Sequence, residues 1–415
     1  MVQNIKTANV VIIGGGIIGT AIASALARDI TGVVLIEKEG IAAQASGANY
    51  GIVDFPCTPG FTYRSQTRSL ELYEELDKEH FDVDIEFEKV GGLRVGFTPA
   101  QYKAVDWYCR TRQEAGIPIQ MLDGKQAAEL EPHLSPAIAT AIYCDKDTQL
   151  NPYMTTMAFA NLAKRRGAAV LSGTEARKIN MNAGRVVSVD TSAGTIQTSS
   201  VIVANGYMSR PLVRPLGINL PIFPQRLQSL VTEPTEKLLT RVVHGMRYLS
   251  DEEAENDPQA ALEYEYKVDA VDDEKDLPQE EVEDTLFAFL RPTLSGTIVL
   301  GTTSEFAGID RRTTPRGLSA IIKEALKICP ALINSNIIRT WAALIPFTFD
   351  SKPILGKVPD FPGLYIAAGH PHAMSHAPAV GEVFSALFLK ENSMSEYANF
   401  IFDETRITRF PNWSR

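Results

Sequence analysis

The chain has 415 residues, enough for two domains, and its 45% hydrophobic and 22% charged content is typical of a globular protein. Its four cysteines lie far apart without a C-x-x-C pair, which argues against a disulfide framework or a structural zinc site and favours a reducing, cytoplasmic location. No basic stripe with interleaved aromatic residues occurs, so we do not expect nucleic-acid binding.

The first predicted element is a buried strand, ANVVII at residues 8–13, followed by the glycine pattern Gly14-x-Gly16-x-x-Gly19. A helical stretch, IIGTAIASALARD, comes next, and a second strand, VVLIE, ends at Glu37. This order is typical of a dinucleotide-binding unit. The first glycine permits a tight turn, the second lets the backbone approach a pyrophosphate, and the third allows close packing of helix and strand.

Glu37 is suited to accept hydrogen bonds from a ribose diol and would repel a 2′-phosphate, which argues against NADP. The glycine pattern alone does not separate NAD from FAD. The apolar run at residues 10–27 is long enough to span a membrane or to form part of a signal peptide. Its three consecutive glycines indicate a turn instead, so we expect no integral membrane segment.

Further motifs follow in chain order. AQASGANYGIV at 43–53 is rich in small residues, which suits backbone contact with a large flat cofactor, and VIVA precedes Asn205-Gly206. The alternating stretches at 286–293 and 297–302 predict a hairpin. WAALIPFTFDSKPILG and GLYIAAGH lead to a helix, APAVGEVFSALFLK, with Pro378 in its first turn.

The segment 250–284 is strongly acidic, with 16 Asp or Glu and two Lys, and leaves the rest of the chain with a small positive excess. A solvated loop is one interpretation. The other is a docking element for a partner subunit or an electron acceptor.

Taken together, these ordered motifs resemble the D-amino-acid oxidase superfamily of FAD enzymes, and the similarity covers nearly the whole chain. The resemblance implies an α/β fold with a discontinuous Rossmann-like FAD-binding domain (1–80, 145–225 and 335–415) and an antiparallel-sheet substrate domain (81–144 and 226–334). Some members attach the flavin covalently to a C-terminal cysteine, and because this chain has no cysteine there, we expect non-covalent FAD. The implied cofactor-binding residues are Gly14, Gly16, Gly19, Glu37, Lys38, Ser46, Asn49, Gly51, Ala204, Gly206, Gly369 and His370.

One departure from the family concerns the substrate. Many members have an arginine for the substrate carboxylate in the tryptophan block, where this chain has Ile345. A planar guanidinium suits that role because it binds both oxygens. Arg94, Arg226 and Arg291 are the candidate replacements, and we expect Arg291, at the end of a predicted strand, to serve.

A second departure is the loop PHAMSH at 371–376, which is shorter and bulkier than in the family. With His370 it contains three of the six histidines. A metal site needs converging ligands and further donors, and none is apparent, so we predict no metal. The resemblance places His370 beside the flavin and makes His372 the more direct candidate to face substrate. Cys57 is expected to be a free thiol.

The expected chemistry is oxidation of the C–N bond of an amino acid or related secondary amine by hydride transfer to the flavin, giving an imine. Three alternatives stay open: oxidation of a 2-hydroxy acid or glycerol phosphate with His370 or His372 as base, a flavoprotein subunit active only within a complex, and a non-catalytic FAD-binding scaffold.

Overall fold

The computed structural model describes residues 5–53, 59–78, 83–246, 282–389 and 393–414. Cys57 and residues 250–281 of the acidic segment lie outside the described residues, so their predicted roles stay predictions. No helix in these ranges is long and apolar enough to cross a membrane. The apolar run at 10–27 forms a strand, a glycine turn and a helix.

One of the two large sheets has six strands. Five strands are parallel, and a sixth pairs antiparallel at one edge, in the order β19-β20-β13-β1-β2-β9. Its strands are β1 (Val10–Ile13), β2 (Val33–Glu37), β9 (Ala169–Ser172), β13 (Val201–Val203), β19 (Ile354–Lys357) and β20 (Leu364–Ala368).

The short apolar runs of this sheet are buried because both of its faces are covered. Successive side chains alternate between the faces. Val10 and Ile12 pack in the core beneath the helices, while Val11 and Ile13 pack in a second core beneath a three-stranded meander. The meander consists of β10 (Ala176–Asn182), β11 (Arg185–Thr191) and β12 (Gly194–Gln197).

Four of the described helices pack together: α1 contacts α6 and α9, and α9 also contacts α3. The described helices are α1 (Ile17–Leu26), α2 (Ala45–Ala48), α3 (Phe61–Lys78), α4 (Pro99–Glu114), α5 (Gly124–Leu130), α6 (Pro152–Arg165), α7 (Ser209–Val213), α8 (Pro315–Ile328), α9 (Ala373–Leu389) and α10 (Glu396–Thr405).

The other large sheet has eight strands, in the order β18-β14-β17-β16-β15-β5-β7-β6. It is antiparallel except for the parallel pair β15 and β5. Its strands are β5 (Gly92–Gly96), β6 (Gln120–Asp123), β7 (Thr140–Cys144), β14 (Phe223–Thr232), β15 (Val242–Gly245), β16 (Phe289–Pro292), β17 (Ile298–Gly301) and β18 (Ile337–Phe347). A small sheet joins β3 (Ile52–Val53), β8 (Thr148–Gln149) and β4 (Glu88–Lys89).

The mixed α/β class is as predicted, and the predicted hairpin is the antiparallel pair β16 and β17. One local expectation was wrong. The last long helix begins at Ala373, so Pro378 lies inside it rather than in its first turn. The predicted domain boundaries stay a proposal; the strand β18, within the range 335–415 predicted for the cofactor domain, pairs in the eight-stranded sheet.

Candidate active site

A cavity of about 570 Å³ is lined by residues from both large sheets. On one side it meets the carboxyl ends of parallel strands: Gly14 follows β1, Glu37 ends β2, Ala204 follows β13 and Gly369 follows β20. Ligands of open α/β sheets bind at this edge. On the other side, the eight-stranded sheet supplies a wall of mixed polar and apolar side chains.

The glycine turn leaves no space for side chains. Gly14 has φ +117°, and a Cβ there would lie 2.5 Å from the carbonyl oxygen of Ala204. A Cβ on Gly19 would lie 2.0 Å from the carbonyl oxygen of Gly14. Gly14 and Gly16 line the cavity, whereas Gly19 is buried in α1. The first two glycines thus open the backbone to a ligand, and the third draws the helix against the turn.

Two side chains hold the turn in place. The backbone N–H of Gly15 donates to Oε2 of Glu37 at 2.7 Å, and that of Glu39 donates to Oε1 at 2.8 Å. The N–H of Ile17, in the first turn of α1, donates to Oγ of Ser46 at 2.9 Å. Each Glu37 oxygen has a further acceptor site for a ribose hydroxyl, and the Ser46 hydroxyl keeps its own proton to donate.

Most of the predicted cofactor residues line the cavity: Gly14, Gly16, Glu37, Lys38, Ser46, Asn49, Ala204, Gly206, Gly369 and His370. Gly51 does not line the cavity. Its φ is +64°, and an added Cβ would collide with the Leu150 carbonyl oxygen, so a glycine here permits a close backbone contact. The sequence analysis missed Thr174 and Glu175, which line the cavity where it meets the carboxyl ends of the parallel strands, here called the nucleotide edge. They follow β9, another parallel strand whose carboxyl end reaches this edge. Their position directly after a predicted strand could have identified them.

The three clustered histidines have different environments. His370 lines the cavity, is 2% exposed, and has no hydrogen-bond partner at either ring nitrogen within the described chain. Burial lowers its pKa to about 3, so the ring is neutral near pH 7. His372 is exposed and also lines the cavity.

His376 lies in the first turns of α9 and not in a loop, and its Nδ1 is 2.8 Å from Oγ of Ser65. Burial, and then the neighbouring His372 and His370, hold its pKa well below the usual range. The described residues contain no group of three or more His, Cys, Asp or Glu placed to hold a metal ion.

The structure separates the three candidate arginines. Arg291 is not among the described residues that line the cavity; its Nη2 donates to the Leu150 carbonyl at 3.0 Å, and burial lowers its pKa to about 10. Arg226 forms a buried ion pair with Glu305 at 3.0 Å. Arg94, on β5, is 8% exposed and lines the cavity. The geometry therefore favours Arg94 as the carboxylate-binding residue over Arg291, which the sequence predicts for that role.

Arg94 stands beside His244, its strand partner in the parallel pair of β5 and β15, and His244 also lines the cavity. Further along the same wall, Gln225 in β14 pairs in register with Ile345 in β18, and both line the cavity. Sequence reasoning identified neither His244 nor Gln225, because no motif of the chain includes them.

These residues fit an FAD dinucleotide. The glycine turn presents backbone without side chains, and an acid lies at the end of the second strand. The two buried ring nitrogens of neutral His370 have no hydrogen-bond partner among the residues that the structure describes. A parallel sheet with the glycine turn typical of dinucleotide-binding folds thus faces an antiparallel wall across one cavity.

The chain belongs to the family described as FAD dependent oxidoreductase, the D-amino-acid oxidase superfamily, whose family model matches residues 9–257 and 258–387. It is therefore an FAD-dependent enzyme. Glycine oxidase of Geobacillus kaustophilus is 25% identical over 401 residues, which cover 94% of this chain and 96% of that protein.

Two further proteins are similar to this chain, one in its solved structure and one in its sequence. The crystal structure of L-proline dehydrogenase from P. horikoshii superposes with a TM-score of 0.80 at 25% identity, covering 97% of this chain and 99% of that one. Hydrogen cyanide synthase subunit HcnC of Pseudomonas protegens is 26% identical over 408 residues, which cover 88% of each chain.

Proposed function

We propose that the protein oxidises the C–N bond of an amino acid or related secondary amine, with the substrate carboxylate bound by Arg94. The observation that carries this proposal is the buried guanidinium of Arg94 in the wall that faces the nucleotide edge of the cavity. A buried cation binds a carboxylate through charge-assisted hydrogen bonds, which are the strong ones. Relatives named for glycine and L-proline support an amine bearing a carboxylate.

When bound, FAD supplies the acceptor for the hydride that leaves the α-carbon. The protein's own residues bind, orient and shield. Gly14 and Gly16 open the backbone to the dinucleotide, and the N-terminus of α1 attracts its phosphates. The N-terminal end of α9, where Ala373 lines the cavity, points its partial positive charge at the same space and favours developing negative charge there.

The reacting amine must be neutral so that its lone pair is available. A wall containing Leu227, Ile345 and Phe347 disfavours an ammonium ion, because burial in apolar surroundings penalises charge. His370 is neutral and can accept a hydrogen bond from an amine without adding a positive charge. Positioning of this kind can supply about 7–11 kcal/mol of the barrier reduction.

We propose that the FAD is held non-covalently. The described cysteines Cys109, Cys144 and Cys329 are buried and are not among the described residues that line the cavity. Burial raises the pKa of Cys109 to about 12 and of Cys329 to about 11, which suppresses the reactive thiolate.

Anaerobic mixing of the purified FAD enzyme with substrate pools tests the proposal without knowledge of the electron acceptor. The pools are D-amino acids, N-methyl amino acids, cyclic imino acids, opines and 2-hydroxy acids. We expect an amine pool to abolish the absorbance of the oxidised flavin. Reduction by 2-hydroxy acids alone would overturn the amine proposal and support the alternative in which a histidine acts as base.

A second candidate function is that of a flavoprotein subunit active only within a complex. It is favoured by the similarity to a protein named as a hydrogen cyanide synthase subunit. The acidic segment 250–284 is the proposed docking element. Bound FAD with no reduction by any amine would support this candidate, and restoration of reduction by a co-purifying subunit would establish it.

A further inference from the structure

A buried amide in the sheet wall has a nitrogen with no hydrogen-bond partner in the described ranges of the chain. Gln225 lies in β14, is 2% exposed and lines the cavity. The next residue, Arg226, pairs with Glu305 and is not among the described lining residues, as expected from the alternation of side chains along a strand. Gln225 is therefore on the cavity side of the sheet.

The oxygen of this amide has a hydrogen-bond partner. The hydroxyl of Ser304 donates to Oε1 of Gln225 at 3.0 Å. With Oε1 on this side, the two N–H donors are on the other branch of the amide. Nε2 has no partner in the described part of the chain. Because an unsatisfied buried donor costs free energy, an acceptor bound in the cavity would recover that cost.

The described lining residues beside Gln225 in β14 and β18 are uncharged. Its strand partner is Ile345, and Leu227 and Phe347 line the same wall. The charged side chains among the described lining residues are elsewhere: Glu37, Lys38 and Glu175 at the nucleotide edge, and Arg94 four strands away in the sheet order. A carboxylate beside Gln225 would lose its hydration for one neutral donor group, whereas an uncharged oxygen loses much less.

We propose that Nε2 of Gln225 donates a hydrogen bond to an uncharged carbonyl oxygen of the substrate, which makes Gln225 a specificity-determining residue. This inference rests on the proposed function, in which Arg94 binds the carboxylate. The substrate class is then an amino acid or secondary amine that carries a carboxamide or ester carbonyl in addition to its carboxylate. Ser304 is a positioning residue because it holds the amide in the donating orientation.

Two non-reacting probes of similar shape test the inference. N,N-dimethylacetamide is uncharged and only accepts hydrogen bonds, while isobutyrate has nearly the same outline and a negative charge. Each is titrated into the oxidised FAD enzyme, and binding is read from the perturbation of the flavin absorption spectrum. The variants are Gln225→Leu and Gln225→Met, with Gln197→Leu, on an exposed strand of the meander, as the matched control.

We expect the dissociation constant of N,N-dimethylacetamide to rise roughly 3–10-fold in both Gln225 variants, as for loss of one neutral hydrogen bond. Isobutyrate should change by less than about twofold, and the control should match the wild type. Ser304→Ala should give a smaller rise, because the amide can then rotate. Equal binding of N,N-dimethylacetamide to the wild type and both variants, or its failure to bind, would overturn the inference.

This titration needs no turnover, so it is distinct from the test of the proposed function. If no amine reduces the flavin but the Gln225 effect is present, the amine proposal fails while the carbonyl subsite stands. If amines reduce the flavin and the Gln225 variants bind both probes as the wild type does, only the subsite fails.

Discussion

The two walls of the cavity are built in different ways. At the nucleotide edge, small residues bring backbone against backbone, and Cβ atoms on Gly14 or Gly19 would collide with carbonyl oxygens. The sheet wall is built from large side chains that bury polar groups, including Arg94 and Gln225, whose Nε2 has no hydrogen-bond partner among the described residues. The first wall has a shape fixed by backbone packing, and the second has a chemistry fixed by individual side chains.

This difference predicts different sensitivities to substitution. At the nucleotide edge, a single methyl group should disturb both stability and cofactor binding. In the sheet wall, a substitution should alter the handling of substrate and leave FAD binding nearly unchanged.

The largest effect is expected for Gly19→Ala. The new Cβ would lie 2.0 Å from the Gly14 carbonyl oxygen, so α1 must move away from the turn. We expect a loss of about 3 kcal/mol in the free energy of unfolding and little bound FAD. The urea midpoint and the FAD content after purification measure both. Gly40→Ala is the matched control, since nothing lies within 4 Å of its added Cβ; equal behaviour of the two variants would contradict the account.

Arg94→Met comes next. Loss of a charge-assisted contact should remove about 2–3 kcal/mol of transition-state stabilisation, which lowers kcat/KM for a carboxylate-bearing amine roughly 30–150-fold. The FAD content should be unchanged. Arg94→Lys should recover part of the loss because it retains the charge but not the planar fork. Arg339→Met, at an exposed position of β18, is the control. Unchanged kinetics in Arg94→Met would remove this residue from the substrate site.

Stability should fall in mild acid because His370 and His376 are buried as neutral rings. Burial lowers both pKa values, so between about pH 6.5 and the folded-state value the unfolded chain binds more protons and the free energy of unfolding decreases as pH falls. At pH 5 the cost is about 2 kcal/mol for His370, and His376 adds to it in the same direction. Urea midpoints at pH 7.5 and pH 5 measure it, and His376→Asn should show a smaller difference than the wild type. An identical difference would mean that His376 is already charged when folded.

Ser46→Ala should have the smallest of these effects. It removes the acceptor of the Ile17 N–H at the start of α1, a loss of about 1 kcal/mol for a capping contact. We expect FAD affinity to fall by roughly fivefold, measured by fluorescence titration of the apoprotein. Ser199→Ala, on a loop away from the cavity lining, is the comparison variant. Tighter FAD binding in Ser46→Ala would show that the hydroxyl competes with the phosphate.

The same contrast explains what the sequence could predict. Gly14, Gly16, Gly19 and Glu37 form a local pattern whose spacing reports a backbone shape, so the parallel sheet and most of the cofactor edge were predictable. Arg94 on β5 lies far before Gln225 on β14 and His244 on β15 in the chain, and only the order and register of the sheet bring the three residues to one wall. The place of Arg291 at a strand end predicts a substrate contact, but the sequence does not show which face of the strand meets the cavity.

The start of the last long helix could also not be predicted from the local sequence. Pro378 suggested a first-turn position, yet α9 begins at Ala373. The first turns are held by tertiary contacts, with His376 against Ser65 and the hydroxyl of Tyr73 donating to the Met374 carbonyl at 2.7 Å. Both partners lie on α3, more than 300 residues earlier in the sequence.

The most direct test of the central claim is anaerobic flavin reduction by the wild type and by Arg94→Met with matched substrates. Each amino acid or cyclic imino acid from a reactive pool is compared with the same amine lacking its carboxylate. We predict that the wild type is reduced rapidly only by the carboxylate-bearing amines and that Arg94→Met loses this preference while its FAD remains bound. Reduction by 2-hydroxy acids and not by amines, or an unchanged preference in Arg94→Met, would contradict the account.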